Sequence, residues 1–276
     1  MIGFFLVMNV SLGGLIKTYR INRRLSQFDV ASAIGWKDTS RLSKIEQGRV
    51  KPTRAVVEKI ISALNLNPEE GNAILFAGNY VPSDGEIKKV LSDFRKIIDN
   101  WPYPAYLIDF TWRFLYCNKQ NSLVFHIPEK VRVKLPQLKP NLLEYPFFPK
   151  EVFPVTVFKG ENESVVKPFP IAQVAQFKIE QRYNLTEPWC KKLFSHMAKY
   201  DKFRKIWSEI KVKDYQKKLL DYEFKIVDGE WSSKQNKLKF HLFTSRVIDD
   251  PRFQTVLYIP VDFATRKFFK EHVISL

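Results

Sequence analysis

Between Leu25 and Gly48 the chain reads LSQFDVASAIGWKDTSRLSKIEQG, two short amphipathic runs each closed by a glycine. Ser26 stands where an N-cap is wanted, just before a run carrying Phe28, Val30, Ala31 and Ile34 at helical spacing. Gly35 can take the positive φ that ends a helix, and Asp38 can cap the next one. In that second run Leu42 and Ile45 face inward before Gly48 stops it. Two short helices about a glycine-bearing turn form a helix-turn-helix, and Ala31 is small enough to sit where the helices cross.

The flanks supply the remaining helices. SLGGLIKTYRINRR places Leu12, Leu15, Ile16 and Tyr19 on one face. TRAVVEKIISALNL, after Pro52, carries Val56, Val57, Ile60, Ile61 and Leu64, and PEEGNAILFAGNY begins at Pro68 with Glu69 and Glu70 in its first turn. Residues 11–80 are therefore expected to form an all-α domain of four to five helices. Its second motif helix leaves Thr39, Ser40, Arg41, Ser43 and Lys44 outward, a face that suits either water or an anionic partner. Residues 12–66 hold 11 Lys and Arg against 4 Asp and Glu, a net of +7. That excess favours the partner, because it supplies salt-sensitive attraction to phosphate.

The spacing of LSQ, Ala31, Gly35 and LSKIEQG resembles the XRE family of repressors over about 65 residues, with a turn, GWKDTS, one residue longer than the commonest form. The resemblance implies a lambda-repressor-like fold that binds double-stranded DNA with the Thr39–Lys44 helix in the major groove. Arg41 and Lys44 can donate to guanine O6 and N7, and Thr39, Ser40 and Ser43 offer hydroxyls. Gln27, Gln47, Arg49 and Lys51 are assigned to phosphate by the matching motif positions. Glu46 would repel DNA if it faced outward, and the family pattern turns it inward onto Arg20.

The whole chain of 276 residues carries a formal net charge of +16, which points to nucleic acid before an acidic membrane. Its two cysteines, Cys117 and Cys190, have no zinc or CxxC spacing and suit a reduced, cytoplasmic setting. The apolar start MIGFFLVMNV is too short to span a bilayer and lacks a signal peptide's flanks, so no membrane span is expected. Translation from Met1 or from Met8 is left open.

VPSDGE marks a junction, and residues 81–100 read as a connecting amphipathic helix with Ile87, Val90, Leu91, Phe94, Ile97 and Ile98. From residue 101 to 270 the pattern changes to α+β. Short strands are expected at Ala105–Ile108, Arg113–Cys117, Tyr222–Val227, Leu238–Thr244 and Thr255–Ile259, with a helical insert between the second and third. That is the layout of a PAS-like five-stranded antiparallel sheet. The stretches PAYLIDFTWRFLYCN, NLLEYPFF, KFRKIWSEIKV and LFTSRVIDDPRFQTVLYIPVD resemble the MmyB-like ligand-binding domain.

That second resemblance implies a one-component regulator sensing a small apolar ligand, with a fatty acid as one candidate. Trp112, Phe114, Phe147, Phe148, Trp189, Trp207, Phe240 and Tyr258 could line its cavity or equally fill a core. Arg113, Arg182 and Arg204 could meet a carboxylate head group. The four histidines lack metal-ligand spacing, and neither a phosphate loop nor a nucleophile elbow occurs, so neither cofactor nor enzymatic activity is expected. Two rivals stay open: a second domain that only dimerises, and an enzyme regulated by its DNA-binding head. A homodimer on two half-sites is expected in the leading reading, since one head buries modest area.

Overall fold

Ser11 opens the first helix: its hydroxyl accepts from the Gly14 N–H at 3.1 Å, and α1 runs Leu12–Asn22. The computed structural model describes residues 11–125, 127–144, 168–210, 221–226 and 236–272. They fall into two units, one reaching to Pro82 and including Arg246–Phe253, the other formed by Ser83–Ser245 and the chain from Gln254.

In the first unit α2 is Gln27–Ala33, started by a reciprocal capping box in which Ser26 and Asp29 satisfy each other's backbone N–H. Helix α3 is Ser40–Glu46, α4 is Arg54–Ala63, and α5 is Pro68–Ala77 behind an Asn67–Glu70 capping box. Gly35 and Gly48 take φ of 81° and 71°, the helix-closing conformation expected of them. Ile16, Val30, Leu42, Ile45, Val57, Ile60, Leu64 and Ile74 form the core, and Ala31 is fully buried beside it. Each such side chain contributes about 1.5–3 kcal/mol by leaving water. Gly13 has a separate role. A Cβ there would lie 2.2 Å from the Ile45 carbonyl oxygen and 2.6 Å from that of Glu46, so α1 presses its bare backbone against the end of α3.

The same unit buries Arg252 completely. Its guanidinium donates to Asp250 at 2.7 and 2.9 Å and to Asn72 Oδ1 at 3.2 Å, while Asn72 Nδ2 donates to the Asp249 carbonyl at 2.8 Å.

In the second unit a Ser83–Glu86 capping box starts α6, Asp84–Asn100. Strands β1 (Ala105–Asp109) and β2 (Phe114–Cys117) pair antiparallel, with Leu107 opposite Tyr116. Asp109 builds the turn between them. Its Oδ1 accepts from the backbone N–H of Thr111 at 2.9 Å and of Arg113 at 3.2 Å. Asn118 caps α7, Lys119–Val124; its Oδ1 accepts from the N–H of Ala105 and Asn121, pinning the helix to the start of β1.

Among the described residues five helices follow: α8 (Glu129–Arg132), α9 (Leu135–Leu138), α10 (Pro168–Glu180), α11 (Pro188–Met197) and α12 (Asp201–Glu209). Strand β3 is Asp221–Ile226, β4 is Asn236–Arg246, β5 is Phe253–Pro260, and α13 is Phe263–His272. A four-stranded antiparallel sheet of β1, β2, β4 and β5 forms the floor of the unit, and β3 pairs along β4 with Tyr222 opposite Phe240. On β4 Leu238 and Phe240 are buried while His241 and Phe243 are exposed, the alternation of a sheet with one wet face.

Candidate nucleic-acid interface

The α3 helix has only seven residues, so its position depends on what holds its inner face. Leu42 and Ile45 are buried in the core, and Glu46 faces inward as the sequence pattern suggested. Arg20 Nε donates to Glu46 Oε1 at 2.6 Å and its Nη2 to Oε2 at 2.9 Å, a two-pronged pair with both residues buried. Arg20 Nη1 also donates to the Leu25 carbonyl at 2.9 Å. The hydrogen bond that Arg20 donates to Glu46 raises the Arg20 pKa, against the opposing effect of burial. One ion pair thus ties α1, the start of α2 and the end of α3 together.

With the inner face fixed, Ser40, Arg41, Lys44 and Gln47 are exposed, and Thr39 and Ser43 are half-buried. The longer turn does not disturb the start: α3 begins at Ser40, whose N–H donates to Asp38 Oδ1 at 2.8 Å. Hydrogen bonds from Ser40 also lower the Asp38 pKa, keeping that carboxylate charged and engaged at the helix start. Arg49 and Lys51 are exposed just beyond the helix. Gln47 Nε2 donates to Ser43 Oγ at 2.9 Å, which orders that edge.

Two features escaped the sequence reading. Gln27 Nε2 donates to Glu46 Oε2 at 2.8 Å, so the residue assigned to phosphate also belongs to the buried network. An amide nitrogen carries two hydrogens, which leaves one for a phosphate oxygen. The second is Trp36, over whose ring the Arg41 guanidinium lies at 4.8 Å. Stacking of this kind holds a guanidinium plane in place before any base is met. An aromatic in the turn five residues ahead of Arg41 was the available signal.

The residues predicted to hold a small ligand are dispersed. Phe114 and Tyr258 line a cavity of about 50 Å³ in the second unit, together with Tyr106, Phe125 and Gln173. Trp112 instead packs edge-on against Phe177 at 5.2 Å and donates to Glu180 at 2.8 Å. Trp207 packs on Phe194 at 4.5 Å, Trp189 on Phe110 at 6.0 Å, and Phe240 on Phe269 at 5.9 Å. Phe147 and Phe148 lie outside the described residues. Arg113 pairs with Asp109 at 2.5 Å, Arg204 pairs with Asp201, and Arg182 stacks on Tyr183, so none of the three lines this cavity.

Among the described residues no helix is long and apolar enough to cross a membrane, and no group of three or more His, Cys, Asp or Glu is placed to hold a metal ion. No curated protein matches the chain. Residues 11–73, from the start of α1 into α5, match a family model described as a helix-turn-helix domain. The first unit carries a helix-turn-helix domain, which points to a DNA-binding regulator.

Proposed function

We propose that the chain is a one-component transcription regulator that reads duplex DNA through residues 11–80 and senses a small molecule through residues 101–270. The observation that carries the DNA reading is α3 itself. Its inner face is locked by Leu42, Ile45 and the Arg20–Glu46 pair, while Arg41 and Lys44 stay exposed on the other. A buried carboxylate leaves that outer face without an acidic side chain from α3, as contact with phosphate requires. Arg41 and Lys44 then address base edges, with Thr39, Ser40 and Ser43 beside them, and Gln27, Gln47, Arg49 and Lys51 address phosphates.

The sensor reading rests on the PAS-like order of two strands, a helical stretch and further strands, with a cavity beside the sheet. Residues 81–100 would connect the two parts, and a homodimer would place two heads on successive turns of the duplex. A second reading is favoured by the edge-packed rings around Trp112, Trp207 and Phe240. They make a filled core, which suits a domain that only dimerises.

Selection of duplexes from a random pool by the purified full chain tests the DNA reading. Enrichment of paired half-sites about 10–10.5 bp apart is expected. Affinity for the winners should fall steeply with salt, log K dropping by about 0.9 per phosphate neutralised for each tenfold rise in salt. A pool that stays random, bound with no salt dependence, would sink it.

A further inference from the structure

Two residues that line the second-unit cavity each keep a buried polar atom with nothing to bind. Asn121 Nδ2 and Gln173 Oε1 have no hydrogen-bond partner, and both residues line the cavity. Asn121 is 1% exposed and Gln173 9%, so water outside the protein does not serve them. The Asn121 backbone N–H donates to Asn118 Oδ1 at 2.9 Å, which fixes its place on α7, and the Gln173 side chain is held by its Nε2, which donates to the Leu142 carbonyl at 2.6 Å. That second bond fixes which end of the Gln173 amide is nitrogen and leaves its oxygen as the orphan.

A buried donor and a buried acceptor left unmade cost stability, and native cores rarely leave such groups without a reason. Around them the lining is aromatic: Tyr106 meets Phe114 edge-on at 5.5 Å, and Tyr258 lies 6.0 Å from Phe125. Among the described residues none that lines the cavity carries a charge. A carboxylate there would face the lone pairs of Gln173, and an ammonium would face the N–H bonds of Asn121. Either would be a buried charge without a counter-ion. A cavity of about 50 Å³ gives room for about three to five water-sized groups.

From this geometry, and resting on the sensor reading of the second unit, we infer that the cavity binds a small uncharged molecule whose head both accepts and donates a hydrogen bond. The head accepts from Asn121 Nδ2 and donates to Gln173 Oε1, and a short apolar body lies among the rings. A carboxamide does this with two atoms and a hydroxyl with one. The uncharged lining does not suit a charged fatty-acid head, and the size suits a short body rather than a long chain.

The test uses the full-length protein and four probes of one length: propionamide, propan-1-ol, propionate and propylammonium, titrated by ligand-observed NMR. Propionamide or propan-1-ol should bind at least about tenfold more tightly than either ion, and which of the two leads identifies the head. Asn121→Leu and Gln173→Met should each erase most of that preference. If a variant fails to fold, the wild-type series decides alone. Four probes that bind alike, or none that binds, would mean that water serves the orphan atoms, and the inference falls. Analysis by mass spectrometry of molecules extracted from the protein separates this from the sensor reading. A long-chain or charged ligand there, with no neutral probe bound, overturns the inference and keeps the sensor. Neutral probes that bind without changing affinity for the selected DNA support the cavity assignment and remove the sensor role.

Discussion

Residues 11–82 and the second unit treat buried polar groups differently. In residues 11–82 the charged pair Arg20–Glu46 is closed on itself, with Gln27 and the Leu25 carbonyl completing it. Among the described residues of that stretch no buried side-chain nitrogen or oxygen lacks a partner. In the second unit Asn121, Gln173 and Trp189 each keep an unpaired atom inside. A satisfied network holds a surface still so that something can dock outside it. Unsatisfied atoms around a void reserve hydrogen bonds for something that enters. On the proposed function the contrast separates a reading head from a receptive interior, and it can be attacked residue by residue.

The largest effect belongs to Arg20. Arg20→Ala strands the buried Glu46 carboxylate and should lower stability in chemical denaturation by about 3–5 kcal/mol. A loss under about 1 kcal/mol, typical of exposed pairs, would show that the pair is solvated and that the first unit has no such lock. Gly13→Ala comes next. Its new methyl meets the carbonyls ending α3, and a loss of about 1–3 kcal/mol is expected. Gly85→Ala, where a Cβ meets nothing, is the matched control and should be neutral or slightly stabilising. Equal melting behaviour of the two variants would remove the close crossing of α1 and α3.

Asn121→Leu should move stability the other way. Removing an orphan donor from the ligand-free protein should leave its stability unchanged or raise it by about 1 kcal/mol. A loss comparable to that of Arg20→Ala would show that Asn121 is a structural group and erase the contrast between the units.

The last effect is a slope with pH. Burial pushes the Cys117 thiol up to about 12, with the Ser122 hydrogen bond working against it, and burial pushes Cys190 up to about 11. The folded protein therefore holds these protons more tightly than the unfolded chain, whose thiols ionise near 8.5. Their contribution to stability is complete below about pH 8.5 and declines as pH rises toward the folded values. Denaturation midpoints from pH 8 to 10.5 should drift down, less so in Cys117→Ala. Both thiols should resist alkylation at neutral pH until the protein unfolds, and rapid labelling of the native state would contradict their burial.

How much of this was legible follows from the range of the signals. Ser26, Gly35 and Gly48 are local devices, read within a few residues, and act as the sequence suggested, whereas Asp38 lies one residue before the N-cap Thr39 and accepts from the Ser40 N–H. The Arg20–Glu46 pair was reached only through family resemblance, since nothing local ties residues 26 positions apart. Gly13 was missed because its reason, the carbonyls of Ile45 and Glu46, lies on another helix. In the second unit periodicity located the strands, while the cavity is formed by Tyr106, Phe125, Gln173 and Tyr258, which come from four separate elements. A list chosen for ring size caught Phe114 and Tyr258 but also took in Trp112, Trp207 and Phe240, which pack on other rings. Asn121 and Gln173 were invisible, because an unpaired polar atom is defined by what is not beside it in space.

The most direct test of the central claim, that the outer face of α3 reads DNA, is the affinity of Arg41→Ala/Lys44→Ala for the duplex selected by the unaltered protein. It should be measured beside a scrambled duplex and across a salt series. With each base contact worth about 1–3 kcal/mol, the double variant should lose about 30-fold or more on the selected duplex. It should fall to the salt-sensitive affinity it keeps for scrambled DNA. Undiminished preference for the selected sequence, in a variant that folds normally, would contradict the account and move the reading surface off α3.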